Sequence, residues 1–237
     1  MEIDLERLSA SYKYRPLDVG AHRRVERSAR GLAGTALDIG GGPGGHAGVL
    51  EGLGLTPVVV DLSLSMCRKS HAKGLEAICC LSERLPVRDD AVVLCYFHLS
   101  IHYGRWRSVL DEAIRVTAPG GRIEIWTFTH EALRSSSLAT WFPSVGDIDC
   151  ARFPEPDEIV KHLEAGGAQV HTEHRPENVE RGSGDWVTAV ENRFVSTLQL
   201  VPEAELRAGL DEFQAVYPDP DAVYRYTLDF LRISATV

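Results

Sequence analysis

The 237-residue chain is long enough for one large α/β domain with a substantial core, whereas two independent domains would each be small. Its 25 basic and 34 acidic residues give a formal net charge of -9, which argues against a nucleic-acid groove, because neutralising phosphates takes a concentrated basic surface. The five cysteines suggest neither a disulfide framework nor a metal-binding CxxC pair, and no apolar run reaches the length of a membrane span. We therefore expect a cytoplasmic protein that binds neither nucleic acid nor membrane.

Helical spacing covers the N-terminal segment. It runs from Glu2 to Arg30 and is interrupted at Arg15-Pro16, which predicts two helices ahead of the first strand. We assign residues 1–33 to this helical part.

Strands and helices then alternate over residues 34–128, which we assign to a cofactor-binding core. The predicted strands are residues 35–39, 57–61, 77–81, 91–97 and 122–128, and the predicted helices are residues 45–52, 63–73 and 106–117. Ser63 is the expected N-cap of the second of these helices, and residues 118–121, Ala-Pro-Gly-Gly, are expected to form a turn after the third. This alternation predicts a Rossmann-like, doubly wound α/β fold with a mostly parallel sheet.

The pattern changes after Phe128. Residues 131–153 show no clear period and are too long for an ordinary connection, which is typical of a lid or a substrate wall. A helix over 158–164, a strand over 169–174, helical spacing over 186–200 and 203–213, and a strand over 224–236 follow. We therefore predict a single domain whose seven-stranded sheet ends in an antiparallel strand, with substrate-side insertions at 129–153 and 176–222.

A glycine-rich turn follows the first strand. The run Asp38-Ile39-Gly40-Gly41-Gly42-Pro43-Gly44-Gly45 takes a buried strand into a turn where a ligand can approach the backbone, and the second strand ends in Asp61, where a ribose-binding carboxylate is expected. Asp38 could either order the turn or take a charged ammonium group. The same glycines also satisfy the dinucleotide pattern GxGxxG, so a nicotinamide-dependent oxidoreductase stays open as an alternative.

Two further segments, Leu85 to Asp90 and Arg115 to Arg122, introduce the fourth and fifth strands. Together with the glycine turn, they resemble the class I S-adenosylmethionine-dependent methyltransferases, in particular the small-molecule group related to the ubiquinone and menaquinone biosynthesis enzymes. The resemblance runs from about Tyr12 to Phe128 and more loosely to the C-terminus. It implies transfer of a methyl group from S-adenosyl-L-methionine to an oxygen, nitrogen or carbon atom of a small molecule by in-line displacement, with S-adenosyl-L-homocysteine as the product.

The resemblance also implies a set of cofactor-binding residues, some of which act through their backbone: Tyr14, Asp38, Gly40, Gly41, Gly42, Asp61, Leu62, Met66, Ser82, Glu83 and Phe97. Asp61 would accept hydrogen bonds from both ribose hydroxyls, and Leu62 and Met66 would sandwich the adenine. Related enzymes often carry an acid where this chain has Leu81, so Glu83 or backbone groups would have to replace that contact. Tyr14 either lines the cofactor site or belongs to a corner between helices that Pro16 sets.

The catalytic candidates are His98 and His102, which follow the fourth strand at the edge where open α/β sheets bind ligands. Each could act as a general base for a hydroxyl or amine acceptor, or could line the pocket without transferring protons. If the stretch is helical, the two imidazoles share a face that also suits a metal pair, but no third ligand is evident and we predict no metal. His130, Trp141 and Phe142 are the candidate substrate-pocket residues.

Three rival interpretations remain. A nicotinamide-dependent oxidoreductase is disfavoured because no Tyr-x-x-x-Lys pair follows a middle strand. The others are a cofactor-binding protein without turnover and an enzyme that uses the cofactor for a reaction other than methylation. The sequence identifies neither the acceptor nor the oligomeric state, which we expect to be a monomer or a homodimer.

Overall fold

The structure is a computed structural model that describes residues 3–15, 18 and 20–237. Seven strands form one sheet. They are β1 (Thr35–Ile39), β2 (Thr56–Asp61), β3 (Glu76–Cys79), β4 (Val92–His98), β5 (Thr117–Phe128), β6 (Gln169–Gly182) and β7 (Val223–Thr236). Their order in the sheet is β3-β2-β1-β4-β5-β7-β6.

Helices connect these strands in the described part of the chain. They are α1 (Leu5–Ser11), α2 (Ala21–Ala29), α3 (Gly45–Gly52), α4 (Leu64–His71), α5 (Trp106–Val116), α6 (His130–Arg134), α7 (Ser137–Trp141), α8 (Ser144–Arg152), α9 (Pro156–Ala165), α10 (Ser183–Glu191) and α11 (Glu203–Val216). Short 3-10 helices cover Tyr12–Tyr14, Ile101–Tyr103 and Ser196–Gln199. In the described residues, none of the helices combines the length and apolar character needed to cross a bilayer.

The sheet brings the ends of its central strands to one edge. β1 pairs in parallel with β2 and with β4, β2 with β3, and β4 with β5, and Ile39 lies opposite both Val60 and Phe97. The chain order reverses between β1 and β4, and ligands in open α/β sheets bind beside such a reversal, at the carboxyl ends of the strands. We call the edge formed by the last residues of β1 to β4 the carboxyl edge.

The last strand runs antiparallel to β5. Val237, at its end, exchanges backbone hydrogen bonds with Gly120 and Gly121 near the start of β5, at 2.7 and 3.1 Å. These features confirm the predicted Rossmann-like sheet with an antiparallel last strand.

A buried ion pair ties β7 to β5 as well. Glu124 is fully buried and accepts hydrogen bonds from Arg232 Nε and Nη2 at 2.9 and 2.7 Å, and from Ser234 Oγ at 2.7 Å. A carboxylate removed from water in this way is tolerated only when it is paired with a cation and hydrogen-bonded. Arg232 supplies the opposite charge, and Arg232 and Ser234 supply the hydrogen bonds.

The chain divides into two compact units. The larger unit comprises Asp18–Phe128, Pro154–Arg175 and Leu231–Val237, and its core is mostly aliphatic, with Leu37, Ile39 and Phe97 at the centre. The smaller unit comprises Met1–Leu17, Thr129–Phe153 and Pro176–Phe230. Its core is built around aromatic rings, including Trp186 and Phe213, whose centroids lie 3.9 Å apart.

Most predicted elements are confirmed, including the N-cap, where Ser63 Oγ accepts from the backbone N–H of Met66 at 3.3 Å. The insertion at 129–153, most of which shows no clear period in the sequence, contains α6, α7 and α8, whose lengths of five, five and nine residues are too short to show one. One expectation was wrong. The turn expected at 118–121 is an irregularity within β5, where Gly120 has a φ of +79°. The helix break attributed to Pro16 and the predicted start at Glu2 lie outside the described residues.

Candidate functional site

The glycine turn after β1 leaves no room for a side chain at Gly40 or Gly41. Gly40 has a φ of +70°, and a Cβ atom there would lie 2.4 Å from Ser100 Cβ. A Cβ atom on Gly41 would lie 2.5 Å from the carboxylate of Asp38. The turn is held in place because Ser100 Oγ donates to the carbonyl of Ile39 at 2.6 Å and the N–H of Gly40 donates to the carbonyl of Val60 at 2.7 Å. The sequence therefore delivers a fixed, bare stretch of backbone at the carboxyl edge.

Asp38 lies beneath this turn. Its side chain is 1% exposed, and its Oδ2 accepts from the backbone N–H of Ala47 in the first turn of α3 at 3.1 Å. Burial raises the pKa of Asp38 to about 6, although the nearby His46 and the hydrogen bond from Ala47 act in the opposite direction. Of the two roles considered for Asp38, this contact favours ordering the loop.

Asp61, the last residue of β2, links the glycine turn to the start of α4. Its Oδ2 accepts from the N–H of Gly42 at 2.9 Å, and its Oδ1 accepts from the N–H of Ser63 at 2.8 Å. A carboxylate has about four lone-pair sites, so each oxygen keeps capacity for a further donor. The two backbone bonds fix the orientation in which Asp61 would meet a ligand's hydroxyl groups.

Apolar side chains stand exposed beside Asp61. Leu62 is 51% exposed and Leu81, just after β3, is 54% exposed, although large aliphatic residues are usually buried. Met66, in contrast, is 4% exposed and packed inside the larger unit. The apolar surface that the structure offers at the ends of β2 and β3 therefore comes from Leu62 and Leu81 rather than from Met66.

The loop after β3 contains Ser82 and Glu83, both partly buried. Glu83 Oε1 accepts from the N–H of Arg105 at 3.0 Å, which fixes the loop to the residue that precedes α5. Glu83 is therefore positioned at the carboxyl edge but already holds a structural hydrogen bond.

Backbone strain marks the end of β4. Phe97 is fully buried, so its ring is not available to a ligand at this edge. Leu99 has a φ of +50°, a conformation that is rare for a bulky side chain and costs about 1–3 kcal/mol. Its N–H donates to the carbonyl of Trp126 at 2.9 Å, which helps to hold the strained residue in place. Such strain concentrates at functional sites.

The two predicted catalytic histidines do not share a helical face. His98 is the last residue of β4, and His102 lies in a 3-10 helix, where its ring is 4.3 Å from that of Tyr103. His98 instead packs against His46 of α3, with 4.4 Å between ring centroids.

Asp18 completes a cluster that sequence spacing did not reveal. Its Oδ2 lies 3.4 Å from His46 Nε2 and 4.0 Å from His98 Nε2. The sequence showed no third ligand for a pair of His98 and His102, and the structure groups His98 with Asp18 and His46 instead of with His102. The three residues are separated by 28 and 52 positions, so no local motif joins them; only the position of His46 just after the glycine turn hinted at this edge of the sheet.

The electrostatics of this cluster centre on Asp18. Burial acts to raise the pKa of Asp18, but the hydrogen bond with His46 and the charges of His98 and Arg24 outweigh it and hold the pKa well below its ordinary value. Arg24 also forms an ion pair with Asp18 through the other carboxylate oxygen, Oδ1. The carboxylate therefore stays ionised between a guanidinium and two imidazoles.

Four predicted site residues belong to the smaller unit. The carbonyl of Tyr14 accepts from Arg181 Nη2 at 3.1 Å, and His130 Nε2 is 2.8 Å from the carbonyl of Phe153. Trp141 is partly buried and donates from Nε1 to the hydroxyl of Tyr224 at 3.0 Å.

Phe142 is fully buried and stacks on Trp186 with 6.1 Å between centroids. Each of these four residues thus has a packing or hydrogen-bonding role within its own unit, and Trp141 and Tyr14 keep exposed surface.

A cavity of about 450 Å³ lies at the opposite edge of the sheet, between the loop before β4 and the last turn of α5. Arg115, one of the three arginines that line it, is already bound to Glu112 and Asp89 at 2.7 and 2.6 Å. This neutralisation, together with the position at the amino ends of the strands, sets the cavity apart from the candidate site.

Comparison with known proteins identifies the architecture. Residues 37–125 match the family described as methyltransferase domain. No curated protein matches the chain in sequence. A crystal structure from Anabaena variabilis, of a protein assigned to an antibiotic biosynthesis pathway, is similar with a TM-score of 0.77 at 20% identity, over 94% of this chain and 99% of that one.

Two further solved structures share the fold. Geranyl diphosphate C-methyltransferase from Streptomyces coelicolor, crystallised with Mg²⁺, geranyl diphosphate and S-adenosyl-L-homocysteine, has a TM-score of 0.57 at 17% identity, over 93% of this chain and 79% of that one. The [4+2]-cyclase SpnF has a TM-score of 0.57 at 14% identity, over 91% and 79%. The ubiquinone and menaquinone subgroup is not specifically supported by these matches.

Proposed function

We propose that this chain, whose residues 37–125 match a methyltransferase domain, transfers a methyl group to a small molecule. The methyl group would pass by in-line displacement to a nucleophilic oxygen, nitrogen or carbon atom of that molecule. S-adenosyl-L-methionine is the methyl donor of this enzyme. The observation that carries the proposal is the carboxyl edge, where a bare glycine turn, an anchored carboxylate and two exposed leucines lie together.

The residues at this edge fit the donor. Gly40, Gly41 and Gly42 would hold its methionine part and ribose, and Asp61 has lone pairs left for the ribose hydroxyls. Leu62 and Leu81 would cover the faces of the adenine, a contact that explains why two large aliphatic side chains stay exposed.

Further residues contribute around this edge. The backbone of Phe97, together with Ser82 and Glu83, would complete the edge around the donor, while Met66, which is 4% exposed, would act through packing. Tyr14 is the proposed contribution of the N-terminal segment.

The chemistry needs little from the protein beyond placement. When bound, the donor supplies a methyl group already activated on a sulfonium, so no nucleophilic side chain is required. What the chain must do is align the acceptor and exclude water, and alignment of this kind can lower a barrier by about 7–11 kcal/mol.

A hydroxyl or amine acceptor would also have to lose a proton. His98 and His102 are the proposed proton acceptors, because both lie just after or at the end of β4 on the carboxyl edge. Asp18 beside His98 would stabilise the imidazolium that forms.

The acceptor is proposed to be a small molecule. One similar protein methylates geranyl diphosphate, another is assigned to an antibiotic biosynthesis pathway, and the net charge of -9 does not favour nucleic acid. His130, Trp141 and Phe142 are proposed for the acceptor side, with Phe142 acting through packing because its ring is fully buried.

Calorimetric titration with S-adenosyl-L-homocysteine tests the donor site. Asp61→Ala should weaken binding about 10- to 150-fold, since a hydrogen bond to a charged group contributes about 1.5–3 kcal/mol. Asp61→Asn should lose less, and Asp157→Ala, which removes an exposed carboxylate of the same unit, should bind like the parent protein.

Unchanged affinity in Asp61→Ala would refute the assignment of this residue. Thermal stabilisation by a nicotinamide cofactor and none by S-adenosyl-L-homocysteine would instead favour the oxidoreductase. Transfer of a labelled methyl group into the small-molecule fraction of a cell extract tests turnover, and tight donor binding without any transfer would favour a non-methylating role.

A further inference from the structure

Three side chains from separate parts of the larger unit converge at the carboxyl edge. Asp18 precedes α2, His46 is the second residue of α3, and His98 ends β4. The carboxylate Oδ2 and the two ring nitrogens all lie within 4.8 Å of one another. Among the described residues, this is the one group of three or more such side chains with donor atoms this close.

The separations suit a metal ion. Zinc bonds nitrogen and oxygen ligands at about 2.0–2.2 Å, so two ligands of a tetrahedral ion lie about 3.4 Å apart. The distance from His46 Nε2 to Asp18 Oδ2 is 3.4 Å and that from His98 Nε2 is 4.0 Å. Small side-chain rotations would therefore bring all three donors into coordination range.

The surroundings of the three side chains also resemble those of metal ligands in proteins. The side chains of His46 and His98 are only 14% and 13% exposed, and Tyr96 packs against His46 with 5.4 Å between centroids, which limits the movement of the rings. The second oxygen of Asp18 is held by Arg24, which orients the carboxylate as outer partners of metal ligands do. Oδ2 is left facing both imidazoles.

We propose that Asp18, His46 and His98 form a binding site for one divalent first-row transition-metal ion of the Zn²⁺ or Fe²⁺ class. Two imidazoles and one carboxylate are a donor set typical of these ions and not of Mg²⁺, which takes oxygen ligands. Three protein ligands leave at least one position for an oxygen of water or of a bound molecule.

The proposed metal site lies next to the glycine turn, which suggests a role for the open coordination position of the ion. This role rests on the proposed function. A hydroxyl or carboxylate oxygen of the acceptor could bind there and be oriented beside the donor. His98 cannot act as a metal ligand through Nε2 and as a base through the same atom, so His102 would then be the proton acceptor. Metal binding itself does not depend on methyl transfer.

The competing explanation is a hydrogen-bonded network without metal. In that case Asp18 stabilises a protonated His46 or His98 while Arg24 binds its other oxygen. The two explanations differ in whether the chelator-treated protein takes up one metal ion with defined affinity.

The experiment uses the full chain without a histidine tag, freed of metal with a chelator and titrated with Co²⁺ as a spectroscopic stand-in. One Co²⁺ per chain should bind, with visible absorption bands of a site containing nitrogen ligands. Asp18→Asn, His46→Ala and His98→Ala should each weaken binding by more than about 100-fold, beyond the 10- to 100-fold loss that removal of an outer-shell partner causes.

Two control variants keep the test specific. His71→Ala removes an exposed imidazole at the end of α4, and His102→Ala removes the partner of the alternative metal pair; both should keep the parent affinity for Co²⁺. Binding of S-adenosyl-L-homocysteine and thermal unfolding report whether each variant is folded, and His46→Gln replaces His46→Ala if the latter is not. Absence of a one-to-one Co²⁺ complex in the parent protein, or parent-like affinity in the three ligand variants, would overturn the site.

Discussion

The two compact units achieve stability by different means. In the larger unit, parallel strands place bare backbone, carboxylates and imidazoles at one edge, and the core is mostly aliphatic. In the smaller unit, Trp186 contacts Phe142, Phe213 and Tyr224 within one aromatic cluster. Polar chemistry thus concentrates in the first unit and aromatic packing in the second.

This contrast distinguishes residues whose exact identity a binding site requires from residues that contribute mainly to packing. A glycine that cannot accept a Cβ atom, or a carboxylate held by two backbone N–H groups, is restricted by its environment to very few alternatives. An aromatic core tolerates other rings of similar volume. We therefore expect substitutions in the aromatic core around Trp186 to change stability, and substitutions at the carboxyl edge to change binding.

The largest expected effect is that of Trp186→Ala. The indole is 1% exposed and stacks on Phe213 at 3.9 Å, so its removal should lower the free energy of unfolding by about 3–5 kcal/mol. Chemical denaturation measures this loss. Trp106→Ala, which removes a partly exposed indole of the larger unit, is the matched control and should lose less.

Under conditions where Trp186→Ala is folded, its affinity for S-adenosyl-L-homocysteine should equal that of the parent protein. A weakened affinity would contradict the distinction between packing residues and binding residues, because Trp186 would then contribute to donor binding.

The sequence predicted the larger unit in more detail than the smaller one. β1 and α3 were predicted with the observed bounds, because a buried apolar run, a glycine turn and a helix each leave a local signal. Helices α6 to α8 were missed, since a helix of five residues is too short for its period to be recognised and is stabilised by its tertiary contacts.

The candidate site was predictable only where residues are close in sequence. Asp38 and Asp61 lie at or near the ends of strands and the glycines follow the first strand, so all of them were identified from their positions in the sequence. The proximity of Asp18 to His46 and His98 was not, because it depends on how α2, α3 and β4 pack, which no spacing in the sequence encodes.

A second expected effect is a dependence of stability on pH that arises at Asp38. Burial raises its pKa from 3.8 to about 6, so between these values the folded protein holds a proton that the unfolded chain has lost. Stability should therefore fall as the pH rises through this window, by about 3 kcal/mol in total at 1.36 kcal/mol per pKa unit. Asp18, whose pKa lies below its ordinary value, acts in the opposite direction and only at lower pH.

The measurement compares urea unfolding of the parent protein and Asp38→Asn from pH 4 to pH 7. The amide stays neutral, so the decline should be absent or much smaller in the variant. An equal decline in both proteins would show that another group causes it. Asp149 of the smaller unit, whose pKa burial also raises, would be the next group to test by the same substitution.

The smallest expected effect concerns Leu81, at the end of β3. Because this side chain is 54% exposed, Leu81→Ala should change the free energy of unfolding by no more than about 0.5 kcal/mol. If the side chain covers the adenine, the same variant should bind S-adenosyl-L-homocysteine about 5-fold more weakly, as expected for about 1 kcal/mol of lost apolar burial.

Leu53→Ala, at the end of α3 and also exposed, is the matched control. Leu81→Asp, which introduces an acceptor for the adenine amino group, should bind S-adenosyl-L-homocysteine more tightly than Leu81→Ala. Parent-like affinity in Leu81→Ala would show that this leucine does not contact the donor. The adenine would then bind elsewhere along the carboxyl edge.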